Sequence, residues 1–263
     1  MKNDNETRAF NIELSLDHDA EAVWQALTDP EIVTRWFPPK ASVTPGVGGQ
    51  ITWEWEDVGK FESEIETWTP GRRLRLLEHK TDASGAPVIH TMDFRISPEA
   101  HGTTLRLIHS GFGKDAEWDN EFEGISAGWP FELRVLRHYL DHHRDKTRHL
   151  ALWVQKSPFS EAKSHATVFG AIGFLAEGTI SGKAEGDPYR MVTTLGDDLS
   201  GTVLLNNPPK SFAGVVPSLD HSIIRYEMDG DSVIIALEIW GNHETTAQAF
   251  QRKWQPKIKQ LFT

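Results

Sequence analysis

Residues 9–17, AFNIELSLD, alternate strictly: Phe10, Ile12, Leu14 and Leu16 face one way and Asn11, Glu13, Ser15 and Asp17 the other. A period of two predicts a half-buried strand. The pattern then changes to helical spacing. Asp19 is placed to cap a helix whose apolar side is Val23, Trp24 and Leu27. Asp29 is placed to cap another, with Pro30 at its first position, Glu31 near the positive dipole end, and Ile32, Val33, Trp36 and Phe37 recurring after it. Pro38, Pro39 and Pro45 with Gly46, Gly48 and Gly49 predict a loop and turn.

Alternation resumes and persists. Ile51, Trp53 and Trp55 share one face, as do Phe61, Ser63, Ile65 and Thr67 against an outer row of Glu62, Glu64 and Glu66. Residues 72–78 form the next strand. His90, Met92, Phe94 and Ile96 share a face, and after a turn at 97–102 so do Thr103, Leu105, Leu107 and His109. This predicts an antiparallel meander. A long helix follows: Trp118, Phe122, Ile125, Trp129, Leu133, Leu136 and Leu140 recur at steps of three and four. Pro130 inside it predicts a break or kink near 128–130.

The order then repeats. Residues 150–155 read as a strand, and Ser160 caps a helix beginning Glu161-Ala162. Strands are predicted at 189–195, 201–206, 211–216, 221–228 and 232–240, and a final helix carries Phe250, Trp254, Ile258 and Leu261 with Pro256 inside it. We therefore expect two domains, residues 1–148 and 149–263, a division that 263 residues accommodate.

Composition narrows the function classes. A formal charge of −11 argues against holding nucleic acid through its phosphates. The absence of cysteine excludes disulfides, thiol nucleophiles and thiolate metal sites. No apolar run approaches the ~20 residues that span a bilayer. The opening MKNDNETRAF lacks the apolar core of a signal peptide, so a cytoplasmic location and no membrane insertion are expected. Seven of the ten tryptophans fall before residue 130, which suits either an aromatic core or walls around a concavity.

Several short motifs resemble those of one family. They are Ala22-Val23-Trp24-Gln25-Ala26-Leu27-Thr28-Asp29-Pro30-Glu31, Arg35-Trp36-Phe37, Gly48-Gly49, Thr69-Pro70-Gly71-Arg72-Arg73-Leu74, Gly102-Thr103-Thr104-Leu105, His109-Ser110-Gly111-Phe112 and Gly128-Trp129. Across residues 9–145 the chain resembles bacterial proteins similar to the C-terminal domain of the heat-shock-protein-90 ATPase activator. These belong to the START-related SRPBCC superfamily. The second half resembles a degenerate relative, through Gly201-Thr202-Val203, Pro208-Pro209, Phe212 and Val216-Pro217-Ser218-Leu219. The resemblance implies an α+β fold of two helix-grip (START-like) domains, each a curved antiparallel sheet wrapped around a long C-terminal helix. It implies a cavity for a hydrophobic or amphipathic small molecule, and its family name alone implies contact with a chaperone. It does not fix an activity, because one scaffold hosts lipid carriers, hormone receptors, cyclases and cochaperone domains.

Among polar residues, His90 and His109 stand out, each in register with apolar neighbours on what the meander makes adjacent strands. Such imidazoles are satisfied by each other, by backbone or by buried water, or else they orient a ligand or act as acid and base. His138 and His142 have zinc-compatible spacing, but no third ligand at convincing spacing follows, although Asp141, Asp145 and His149 are nearby, and Arg137, Arg144, Lys146 and Arg148 surround them, which favours a solvated face. Asp115, Glu117, Asp119, Glu121 and Glu123 fit the start of a helix better than a calcium loop. Gly124-Ile-Ser-Ala-Gly128 has the letters of a nucleophile elbow without the strand before it. Gly46-Val-Gly-Gly49 is a turn rather than a phosphate cradle, and no cofactor is called for. The expected ligand walls are Trp36, Trp53, Trp55, Phe61, Met92, Phe94, Leu105, Leu107, Trp129 and Leu133, with polar contacts from His90 and His109. The expected role is binding a hydrophobic or aromatic small molecule; the rivals are a cyclase or hydratase using the same cavity and a chaperone ATPase modulator.

Overall fold

A computed structural model describes residues 7–56 and 59–263. The first six residues, part of the stretch read for a signal peptide, lie outside the described residues. The chain forms two compact units that divide between Asp145 and Lys146. Asp145 takes a left-handed φ of 70°, a conformation that aspartate tolerates better than most residues.

The first unit contains strands β1 (Thr7–Leu16), β2 (Lys40–Thr44), β3 (Gln50–Trp55), β4 (Gly59–Thr69), β5 (Arg73–Thr81), β6 (Pro87–Glu99) and β7 (Gly102–Gly113), with helices α1 (Ala20–Thr28), α2 (Pro30–Val33) and α3 (Asp119–His142). Its seven strands form one sheet in the order β1-β7-β6-β5-β4-β3-β2, with every pairing antiparallel. The second unit repeats the plan with β8 (Arg148–Lys156), α4 (Glu161–Phe169), β9 (Leu175–Thr179), β10 (Pro188–Thr193), β11 (Gly201–Asn207), β12 (Ser211–Val216), β13 (Ser222–Asp229), β14 (Ser232–Trp240) and α5 (Glu244–Leu261). Its sheet order is β8-β14-β13-β12-β11-β10-β9. In both units the last strand returns beside the first and then feeds the long helix. The two-domain helix-grip architecture is therefore present.

The expected caps form. The Asp19 carboxylate accepts from the Ala22 N–H at 2.7 Å. The Asp29 carboxylate accepts from the Glu31 and Ile32 N–H groups at 2.9 and 3.3 Å. Ser160 accepts from the Lys163 N–H at 3.4 Å. Helix α2 stops at Val33 rather than running through Phe37. The Trp36 indole N–H bonds the Ala26 carbonyl at 2.7 Å, which ties the chain back onto α1, and two prolines follow.

Three differences from the sequence pattern have physical causes. Residues 40–44, expected as loop, pair with β3 at the sheet edge, where flanking proline is tolerated. β9, which has little apolar alternation, is the corresponding edge strand of the second sheet. Helix α3 runs unbroken through Pro130, so the expected break does not occur. Trp129, Leu133, Leu136 and Leu140 are buried on both sides of the proline, and tertiary packing of that stripe supports the helix. Trp118 precedes α3, in a single turn of 3-10 helix at Ala116–Trp118.

Candidate functional site

The register of β5, β6 and β7 assembles the inner face of the first sheet beneath α3. Met92 lies opposite His109, Phe94 opposite Leu107, and Ile96 opposite Leu105. On the other side of β6, Leu74, Leu76 and Glu78 lie opposite Phe94, Met92 and His90. Strand alternation therefore brings Glu78 and Lys80 to the same face as His90. Gly111 breaks the alternation in β7. Its φ is +102°, and a Cβ there would lie 2.1 Å from the Ile89 carbonyl oxygen. The pairing of β1 with β7 slips at this point. The result is a bulge that keeps Phe112 on the inner face with His109, so both are fully enclosed.

His90 and His109 sit within this enclosure at the end of the sheet where α3 begins. Their ring centroids are 6.4 Å apart at 76°. The Phe112 ring packs on both, at 4.3 Å from His90 and 4.8 Å from His109. Trp118 closes over His90 at 5.1 Å, and Phe10 over His109 at 5.5 Å. His90 is 0% exposed and His109 2%, yet none of the four ring nitrogens has a hydrogen-bond partner among the described residues. Burial, reinforced by the positive charge of Lys80, pushes His90 down to about 4 against the weaker opposing pull of Glu121. Burial, then His90 and Lys80, push His109 down to about 3. Both rings are neutral at pH 7.

A partly buried charged group borders them. Lys80 on β5 pairs with Glu121 on α3 and lies 3.5 Å from Glu78. Glu121 Oε1 is 3.7 Å from His90 Nδ1. Burial raises the Glu78 carboxyl above its usual range, with Lys80 opposing the shift. The two acidic residues thus share one lysine beside an uncharged imidazole.

The aromatic residues form a second, adjoining group. Phe37 stands at its centre, 5.1 Å from Trp53, 5.1 Å from Trp55 and 5.2 Å from Trp129. Trp129 also meets Phe94 at 5.6 Å and Trp53 at 6.2 Å. Phe61 touches Trp55 at 5.7 Å and is 37% exposed, so it stands at the solvent edge. The Trp53 indole N–H is buried without a partner among the described residues. Leu133, one turn along α3, is buried.

The twelve expected site residues thus divide. Trp53, Trp55, Phe61, Phe94 and Trp129 come together around Phe37. His90, Met92 and His109 lie further along the same face. Leu105 and Leu107 are fully buried, with Leu105 opposite Leu14 and Ile96, two register steps from Met92. Trp36 is buried and locked to α1 by its indole bond, and it reaches the aromatic group only through a stacking contact with Phe37 at 5.2 Å. An added Cβ at Gly128 would meet nothing within 4 Å, so that glycine is not demanded by close packing.

Sequence reasoning missed Glu78, Lys80, Glu121, Phe37 and Phe112. The signal for the first two was present, since Leu74, Leu76, Glu78 and Lys80 occupy alternate positions. The acidic run at the start of α3 does more than face a dipole: Asp119 pairs with Arg8 at 2.6 Å and Glu121 with Lys80. His138 is buried rather than part of a solvated face, and its ring meets His142 and His143 at 4.8 and 5.1 Å. Among the described residues no group of three or more histidines and carboxylates is placed to hold a metal. Ser126 lies inside α3 and bonds the Glu123 carbonyl at 3.3 Å, so it is no nucleophile elbow. No helix among the described residues is long and apolar enough to cross a membrane.

Residues 17–141 match the family described as Activator of Hsp90 ATPase homolog 1-like protein. No curated protein matches the chain at a significant level. Among solved structures, protein MLL2253 from Mesorhizobium loti is 26% identical over 51% of this chain and 97% of its own, with a TM-score of 0.46. Two others are similar over most of the chain. The di-domain ARO/CYC BexL of the BE-7585A biosynthetic pathway is 14% identical, over 93% of this chain and 88% of its own, with a TM-score of 0.46. DynU16, a protein of the dynemicin biosynthetic locus, is 17% identical, over 96% of this chain and 97% of its own, with a TM-score of 0.43.

Proposed function

With its residues 17–141 matching the Activator of Hsp90 ATPase homolog 1-like family, we propose that the first domain is a cytoplasmic binding module for a hydrophobic or aromatic small molecule. The ligand lies between the inner face of the sheet and α3. One observation carries this reading: a continuous run of rings, Phe61, Trp55, Phe37, Trp129 and Phe94, leads from the solvent edge to the buried face. Flat apolar side chains exposed at one end and enclosed at the other suit the capture of an apolar molecule. The polar groups at His90 and His109 then orient it.

The test is native mass spectrometry of freshly purified protein together with titration of a hydrophobic fluorescent dye. A co-purified small molecule, or saturable dye binding that weakens in Phe61→Ser, supports the reading. Protein that carries no small molecule and binds no dye refutes it. A second reading, acid–base chemistry of the cyclase or hydratase kind, is favoured by the position of Glu78, whose raised carboxyl faces His90 across the β5–β6 pair. Turnover of a bound ligand that survives Glu78→Gln would argue against it. Contact with a chaperone is favoured by the family match alone, and failure of the protein to retain a heat-shock ATPase in a pull-down would dismiss it.

A further inference from the structure

We propose that His90 and His109 form a head-group site for one uncharged oxygen, that of a phenol, alcohol or carbonyl at the end of an apolar ligand, and that the site excludes carboxylates. This rests on the ligand-binding reading of the same domain and adds the chemical class of the ligand.

The geometry sets the oxygen. Each neutral imidazole offers one N–H and one lone pair. Among the described residues nothing satisfies any of these four positions. The rings, 6.4 Å apart by centroid, do not bond each other. A single oxygen at about 2.8 Å from a nitrogen of each ring bridges such a spacing. A hydroxyl is the best match, because it donates to one lone pair while accepting from the other ring. A carbonyl accepts from one or both. The apolar remainder of the ligand runs along β6 past Met92 toward Phe94 and Trp129, about 13 Å of strand from His90 at roughly 3.3 Å per residue.

The surrounding charges set the exclusion. The charged groups facing the pair are Glu78 and Lys80 from β5 and Glu121 from α3. Lys80 is already shared by both carboxylates, so no free cation awaits an anionic head. Glu78 and Glu121 share that one cation, so the charges beside the pair sum to an excess of negative charge that further opposes a carboxylate. Burial keeps both imidazoles uncharged at neutral pH. A carboxylate entering here loses its hydration without a compensating charge, which costs more than any hydrogen bond returns.

Four probes of nearly equal bulk test this at pH 7 by equilibrium dialysis: naphthalene, 1-naphthol, 1-naphthoate and 1-naphthylmethylamine. The expected order places 1-naphthol about tenfold tighter than naphthalene, as two hydrogen bonds of ordinary net strength imply. 1-Naphthoate binds more weakly than naphthalene and more weakly than 1-naphthylmethylamine, because the two carboxylates outnumber Lys80. In His109→Leu, with folding checked by circular dichroism, the preference for 1-naphthol over naphthalene falls to about threefold, since one of the two hydrogen bonds is removed. Naphthalene binding without a preference for 1-naphthol overturns the head-group site and leaves ligand binding standing; a resident water holding both imidazoles would give this result. Tighter binding of 1-naphthoate also overturns it. Failure of all four probes removes the ligand-binding reading and the head-group site with it.

Discussion

Replacing His109 with leucine should stabilise the ligand-free protein. His109 is 2% exposed, and both its ring nitrogens lack partners among the described residues. A buried polar atom left without a hydrogen bond costs about 1–3 kcal/mol. Leucine removes both atoms, and a swap of similar volume in a packed core costs less than about 1.5 kcal/mol. The balance at pH 7.5 is a gain of about 1 kcal/mol or more, or roughly 2–4 °C in the midpoint of the domain that carries it. The pH dependence sharpens the test. In the unfolded chain His109 binds a proton near 6.5, and in the folded protein only near 3. Between those values the unfolded state holds more protons, so stability rises with pH and is lost as pH falls below 6.5 toward 3. At pH 5 this loss is roughly 2 kcal/mol for His109. The leucine variant does not incur it, so its advantage over the parent grows as the solution is acidified. Calorimetry of the full chain at pH 7.5 and pH 5 reads both quantities. Hydrogen exchange of the β7 amides assigns the transition to the first domain. A variant less stable than the parent at pH 7.5, with an unchanged pH slope, would refute the reasoning, because it would mean the free protein already satisfies the imidazole.

Three further outcomes are expected. Gly111→Ala should destabilise the first domain by more than about 2 kcal/mol in urea unfolding, since its left-handed φ of +102° and a Cβ placed 2.1 Å from the Ile89 carbonyl oxygen add strain to a clash. Tyr226→Phe should stabilise the second domain by about 1 kcal/mol in thermal unfolding, because the Tyr226 hydroxyl is buried without a partner. A fragment of residues 1–148 should be soluble and unfold cooperatively by circular dichroism, since the division at Asp145 leaves the first sheet and α3 intact; a disordered fragment would count against the domain boundary.

Much of the scaffold was legible in the chain because it is written locally. Asp19, Asp29 and Ser160 announce helix starts through the backbone groups they must satisfy, and inward rows such as Leu105, Leu107 and His109 announce strands. What escaped was set by pairing. The edge strands β2 and β9 carry little apolar alternation, and only their partners make them strands. The bulge at Gly111 is invisible to a period of two, so Phe112 could not be placed beside the histidines until the β1–β7 register was known. Glu78 and Lys80 continue the inward row of Leu74 and Leu76, but a reading based on apolar residues stops where the charges begin. Glu121 was hidden by an adequate local explanation, the helix dipole, which holds for its position and says nothing of Lys80.

The two imidazoles occupy positions where the fold itself asks for something else. Along β7 the inward residues run Leu105, Leu107, His109 and, past the bulge, Phe112; along β6 they run Ile96, Phe94, Met92 and His90. Continuing either row with an aliphatic residue would bury the same area without stranding polar atoms. Helix-grip packing therefore does not explain His90 and His109, and the aromatic rings around them supply no hydrogen bond. The stability lost to four unmet ring nitrogens is recoverable only when an outside donor or acceptor enters. A ligand oxygen that restores those bonds would bind with an advantage drawn from the same atoms that weaken the empty domain. Stabilisation by His109→Leu and weakening of the 1-naphthol preference should therefore appear together in one variant, and their separation would show that the two effects have different origins.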